Sequence, residues 1–187
     1  MKYYITTDTH LFHNRLIEIA GRPEGFTKLI LDNNQKTVKP DDVYVHLGDI
    51  GIGDDAGVHN ELMGSLHPRT KKWLVKGNHD KKSDTWYLSH GWDFVSERLY
   101  LNKYGMKILF THKPVGHNWT FDLNIHGHFH NNSIENYETE LLHILSNRNY
   151  LLALEYMQYR PVSLERIINK WRKEKKNGEY GFRAYRV

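Results

Sequence analysis

The 187-residue chain has no cysteine, which excludes disulfides, thiolate metal sites and cysteine nucleophiles together. It has no apolar run near the ~18 residues that a membrane span needs. Its first residues, MKYYITTDTH, contain no apolar core followed by a small-residue cleavage site. No membrane association and a cytoplasmic location are therefore expected. Low-complexity tracts and Pro/Ser-rich linkers are missing as well. With 39% of residues hydrophobic and 13% aromatic, disorder is excluded, and one domain over residues 1–187 with a sizeable core is expected. Charge of one sign is scarce outside the carboxyl end. The net charge is +4, but residues 164–187 hold eight Lys/Arg against three Asp/Glu, leaving the rest close to neutral.

What is abundant is histidine, 13 residues, several of them beside Asp, Asn or Gly. Five runs of β type each stop at such a polar loop. KYYIT (2–6) stops at TDTH, VYVHL (43–47) at GDIGIGD, KKWLV (71–75) at KGNHD, KILFT (107–111) at HKP and LNIH (123–126) at GHFH. Helical patterns fall between the first three: NRLIEIA (14–20), with Asn14 as a possible cap, and DDAGVHNELMGSL (54–66), with Val58, Leu62 and Leu66 at i, i+4 and i+8. Alternating strands and helices indicate an α/β layered sheet, in which ligands bind outside the strand carboxyl ends. WDFVS (92–96), RLYLN (98–102) and KILFT follow with short breaks, which predicts hairpins in a mixed second sheet. SLERIINKWRKEKK (163–176) predicts an amphipathic terminal helix, with Leu164, Ile167, Ile168 and Trp171 on one face, Ser163 as N-cap and Gly178 beyond its end.

NIHGHFH (124–130) places His126, His128 and His130 at alternate positions. In a strand all three face one side, as in a three-histidine metal site. Alternatively, Gly127 ends the strand and only His128 and His130 reach an ion. A polar strand end with no such role is the third reading. Asp8 and His10 lie two apart beyond the first strand, so both can address one point. Asp49 follows Gly48, Asn78 and His79 follow Gly77, and His112 follows KILFT. Imidazole and carboxylate donors without sulfur suit Mn, Fe, Zn, Co or Ni.

DxH, GD, GNHD, a lone His after a strand and GHxH, in this order over residues 5–130, resemble the five signature blocks of the calcineurin-like metallophosphoesterases, in particular the small, cap-free bacterial and phage enzymes. The metallo-β-lactamase pattern HxHxDH is not met, because Asn131 and Asn132 follow His130. The resemblance implies a four-layer β-sandwich of two mixed sheets flanked by helices. It implies two divalent transition-metal ions, with manganese expected first and iron, zinc, nickel or cobalt compatible. By it Asp8, His10 and His130 hold one ion, Asn78, His112 and His128 the other, and Asp49 bridges them. His126 becomes a supporting or packing residue.

The implied activity is hydrolysis of phosphate esters, diesters favoured, by a metal-bridging hydroxide. Two dications against Asp8 and Asp49 leave positive charge that attracts phosphate, and such a pair activates water and orients phosphoryl oxygens. With Asn78 pointing inward its neighbour His79 diverges, which suits a general acid at the leaving oxygen. Relatives often carry Asp, Asn or His three residues after the bridging Asp, some orienting that histidine. Here the position is Ile52, and Asp80 or Asp54 is the candidate replacement. His13, Asn78 and His117 are candidate substrate contacts, although His13 also reads as a helix-start residue. Lys113 is read as solvated. Trp73, Trp86, Trp92 and Trp119 are read as packing aromatics, and His46, His59, His67, His90 and His143 as ordinary histidines. Nucleotides or nucleic-acid ends are the expected partners, with the basic tail as a candidate guide. The competing reading is a catalytically weak or inactive metal-binding scaffold for protein interaction.

Overall fold

The computed structural model describes residues 1–52, 55–116, 118–131 and 144–176. Two mixed sheets carry the chain. The first contains β1 (Tyr3–Thr6), β2 (Val43–His46), β3 (Lys71–Val75), β4 (Phe94–Ser96) and β9 (Val162–Ser163), in the order β4-β3-β2-β1-β9. The second contains β5 (Arg98–Lys103), β6 (Met106–Thr111), β7 (Leu123–His126) and β8 (Asn149–Leu151), in that order. Helices α1 (Leu16–Ile19), α2 (Phe26–Thr37), α3 (Asp55–Gly64), α4 (Asp84–Ser89) and α5 (Leu164–Lys176) flank them. Among the described residues, no helix is long and apolar enough to cross a membrane.

The central strands β1, β2 and β3 run parallel. All four residues of β2 are buried, as expected where both faces of a strand are covered. In the second sheet, successive residues alternate between faces, so residues two apart share one. Ile108, Phe110, Leu123 and Ile125 join Ile5, Val45 and Leu74 of the first sheet in one core. Leu151, Phe129 and Ala153 form a smaller cluster elsewhere. Because β6 and β7 are also parallel, all five polar loops leave strand carboxyl ends, where the site is built.

Helix α5 matches its predicted range. Leu164, Ile167, Ile168 and Trp171 are buried, the helix packs on β1 and β9, and Ser163 Oγ accepts from the Arg166 amide at 3.3 Å. Gly178 lies outside the described residues. The other helices differ more from expectation. Helix α1 is only one turn long and starts at Leu16, with no side-chain cap. Helix α2 has no counterpart in the sequence reading. Its buried face begins with Phe26 and Ile30 but continues with Asn33 and Asn34, so the apolar stripe fades midway. Those two amides instead reach the carbonyls of Gln158 and Tyr159 and the Ser65 hydroxyl.

The predicted run of hairpins is corrected. Only β5 and β6 form one, while β4 pairs parallel with β3 in the first sheet. Asp93 decides this, since its carboxylate accepts from the Lys72 amide at 2.7 Å and its own amide donates to Lys72 O at 2.8 Å. The chain then crosses between sheets at Glu97.

Candidate metal centre

The loop after β1 is zipped onto the loop after β2. Asp8 N–H donates to Gly48 O, His10 N–H to Asp49 O and Leu11 N–H to Ile50 O, at 2.8–3.0 Å. Asp8, His10 and Asp49 nevertheless have positive φ, as do His128 and His130 after β7. Residues with a Cβ resist this conformation at a cost of about 1–3 kcal/mol each, and such strain concentrates at functional sites. Two glycines are required by close approach. A Cβ on Gly77 would strike the Asp49 carboxylate, and one on Gly127 would strike the Thr7 hydroxyl and the Asp8 carboxylate.

The outcome is two neighbouring donor groups. Asp8, His10 and His130 form one, Asp49, His112 and His128 the other, each with its donor atoms within 4.8 Å of one another. Asp49 Oδ2 lies between them, 3.6 Å from His10 Nε2 and 3.4 Å from His112 Nε2. Asn78 Oδ1 is 3.0 Å from His112 Nε2, and His128 Nδ1 is 3.2 Å from the same atom. Outward-facing atoms are tied back to the protein. His112 Nδ1 donates to Leu47 O at 2.8 Å, and Asp8 Oδ2 accepts from Thr7 Oγ1 at 2.6 Å and His128 N–H at 3.0 Å. Asp8 Oδ1 is buried and has no hydrogen-bond partner. A buried carboxylate oxygen left in that state beside converging imidazoles fits a cation, and the all-N/O donor set suits a transition metal.

The carboxylates and imidazoles shift one another. Burial pushes the Asp8 carboxyl up, but His130, His112 and His10 outweigh it and hold it below the usual carboxylate range. Asp49 is lowered too: burial opposes, and the hydrogen bond with His112 prevails. In return His112, despite burial, is raised to about 9 by Asp49 and Asp8. His10, dominated by burial, falls to about 4 and is neutral, as a ligand must be.

His126 is separate from both groups. It is fully buried with its ring edge-on to Phe129, 6.0 Å away, and burial holds it neutral. The backbone breaks from the strand after His126 and is left-handed at His128 and His130, so the three-imidazole strand face does not form.

His79 lies at the solvent edge, its side chain 43% exposed, with Nε2 3.9 Å from Asp49 Oδ2. Its amide donates to Asp49 Oδ1 at 2.8 Å, and its ring meets His10 edge-on at 5.5 Å. The suggestion that Asp80 orients this imidazole is corrected. The Asp80 carboxylate accepts from the amides of Asp49, Ile50 and Gly77, which clamps the loops after β2 and β3 together. Ile52 is exposed, and Asp54 and His117 lie outside the described residues. His13 is half-buried on the His79 side, its ring 6.0 Å from that of His10. Lys113 and Trp119 line a cavity beside Asn78 and His112.

Arg22 and Glu155 were not visible as site residues. The buried Arg22 guanidinium donates to the carbonyls of Asp8 and Thr9, both at 2.7 Å, and to Glu155 Oε1 at 2.8 Å. Glu155 Oε1 in turn accepts from His130 Nδ1 at 3.2 Å. Neither residue belongs to a motif. The only signal was a lone Arg-Pro after a helix.

A two-sheet α/β fold that carries two adjoining His/Asp groups able to hold metal ions at its strand ends is the class that this fold and donor set define. The chain belongs to the calcineurin-like phosphoesterase family, whose model matches residues 1–180. It is similar to an uncharacterized protein of Methanocaldococcus jannaschii, 28% identical over 177 residues that cover 89% of each chain. Among solved structures it is similar to a protein of unknown function from Aquifex aeolicus, with a TM-score of 0.70 and 27% identity over 90% of this chain and 98% of that one. A Pseudomonas putida nuclease aligns with a TM-score of 0.48 and 20% identity over 68% of this chain and 61% of that one. The family supports hydrolase action on phosphate esters, with divalent metal ions.

Proposed function

We propose that the protein is a dinuclear-metal-dependent phosphodiesterase. In this reading Asp8, His10 and His130 hold one ion, Asn78, His112 and His128 the other, Asp49 serves both, and manganese is the first candidate metal. The observation that carries it is the meeting of two three-residue donor groups at Asp49 Oδ2, 3.6 Å from His10 and 3.4 Å from His112.

Divalent ions bound there supply Lewis-acid polarisation of the phosphoryl oxygens and activation of water. The residues do the rest. Arg22 and Glu155 fix the backbone of Asp8 and the ring of His130, and Asp80 holds Asp49 against the loop of Asn78. His79 is anchored through its amide while its imidazole stays in solvent contact. That position suits a group that holds a proton for the departing ester oxygen and re-protonates from water. Preference for a diester is supported by the cavity beside Asn78 and His112, which offers room for the second ester substituent.

The test is hydrolysis of bis(p-nitrophenyl) phosphate and p-nitrophenyl phosphate by metal-stripped protein reloaded with Mn, Fe, Zn, Ni, Co or Mg, with metal content measured alongside. Activity should return with a transition metal, favour the diester and disappear in Asp49→Asn. His79→Ala should lower kcat by roughly 10²-fold or more on an alkyl leaving group, and by less on p-nitrophenolate, which leaves without a proton. Protein that binds two ions and cleaves neither ester would overturn the reading.

A further inference from the structure

The centre opens on one side into a cavity of about 540 Å³. It lies at the edge where the chain crosses from β4 to β5, and its wall includes Asn78 and His112 of the centre itself. Its volume falls within the ~300–1,000 Å³ of small-molecule sites. The wall away from the donor groups has two features. Trp119 is half-buried with the Arg98 guanidinium stacked over its indole, 4.6 Å from the ring centroid. Lysines 76, 81 and 113 add positive charge, against which stand the exposed Glu97 and Asp80, whose carboxylate is already bonded to backbone amides. Lys76 is paired with Asp84 at 2.7 Å, so Lys81 and Arg98 supply the cationic surface.

An indole left partly open, backed by a guanidinium and bordered by lysines, is what recognises a planar base that carries phosphate. We propose that this cavity is a nucleotide subsite. The base stacks against the Trp119–Arg98 pair, Lys81 meets an adjoining phosphate, and the scissile ester lies against Asn78 and His112. This rests on the phosphoesterase reading for the identity of the scissile group, but not for the binding. The unit recognised is one nucleotide, whether free or at the end of a single strand.

Calorimetry on the metal-loaded protein tests it through binding rather than rate. The probes are deoxyribose 5-phosphate, which lacks a base, thymidine 5′-monophosphate, and a short phosphorothioate-linked oligothymidylate. Thymidine monophosphate should bind roughly tenfold or more tightly than deoxyribose phosphate. Trp119→Ala should erase that ratio while leaving deoxyribose phosphate unchanged, and Trp119→Phe should restore most of it. An oligothymidylate that binds more tightly than the mononucleotide, with an advantage that shrinks in salt and in Lys81→Ala, identifies a strand end as the source. Equal affinity for the two identifies the free nucleotide. Both results support the subsite. Wild-type protein that binds deoxyribose phosphate and thymidine monophosphate equally, or a Trp119→Ala variant that keeps their ratio, would overturn it. Base-dependent binding without hydrolysis of any ester sinks the enzyme reading alone, and hydrolysis without base dependence sinks the subsite alone.

Discussion

Replacing Arg22 with Met should test the internal support of the centre. Arg22 is 1% exposed, and its guanidinium is joined to Glu155 through Nε at 3.0 Å and Nη2 at 2.8 Å. Removing the cation strands a buried carboxylate, an event that costs about 3–5 kcal/mol in comparable sites. The carbonyls of Asp8 and Thr9 lose their donors as well, at about 1 kcal/mol each. His130 remains beside Glu155 and can share a proton, which offsets part of the loss. A net destabilisation of about 4 kcal/mol is a large part of the ~5–15 kcal/mol that holds a domain together. With a urea dependence of about 2 kcal/mol/M, the unfolding midpoint of the metal-free protein should fall by about 2 M. The double variant Arg22→Met/Glu155→Leu should recover more than half of this, because it leaves no unpaired charge. Metal affinity should fall in both, since Asp8 loses its backbone anchor either way. A single variant that costs less than about 1 kcal/mol, or a double variant no more stable than the single, would refute the argument.

Three other outcomes are expected. Gly127→Ala drives a methyl group into the Thr7 hydroxyl and Asp8 carboxylate, so metal content measured after dialysis should drop at the group containing Asp8, with hydrolysis reduced by roughly 10²-fold. His59 is buried, accepts from Trp92 Nε1 at 3.0 Å and is lowered by burial to about 4. The unfolded chain, with an ordinary value near 6.5, binds the proton first, so this group's stabilisation is complete above pH 6.5 and is lost as pH falls through 4. In urea titrations His59→Phe should therefore lose about 2 kcal/mol less than wild type between pH 7.5 and 4.5, and parallel losses would contradict the assignment. Trp171→Ala should cost about 3 kcal/mol by opening the α5 contact with β1 and β9, whereas Lys173→Ala, on the exposed face, should change the unfolding free energy by less than about 0.5 kcal/mol.

The chain order of strand, polar loop and helix was legible because each strand is a short β-branched or aromatic run and each loop holds residues that strands reject. Local pattern alone therefore located Asp8, His10, Asp49, Asn78, His112, His128 and His130 at strand ends, and the parallel sheets brought those ends to one edge. Helix α5 was legible for the same reason, its apolar stripe being complete. Helix α2 was not, because Asn33 and Asn34 finish its buried face with amides whose partners lie about 30 and 125 residues away. Strand β4 was assigned to the wrong sheet because the bonds between Asp93 and Lys72 are invisible in a list of strand propensities.

Residue types and spacing were thus sufficient to set candidate donors at the strand ends, since such side chains are recognised by their own chemistry, whereas their division between two ions came from the family resemblance. The residues that hold those donors were decided only by the tertiary structure. Arg22, Glu155 and the true place of Asp80 depend on contacts across 14 to 133 positions, and Trp119 becomes a cavity wall only when Arg98 is folded over it. Sequence states what a side chain can do, but burial and partners determine which of its capacities is used.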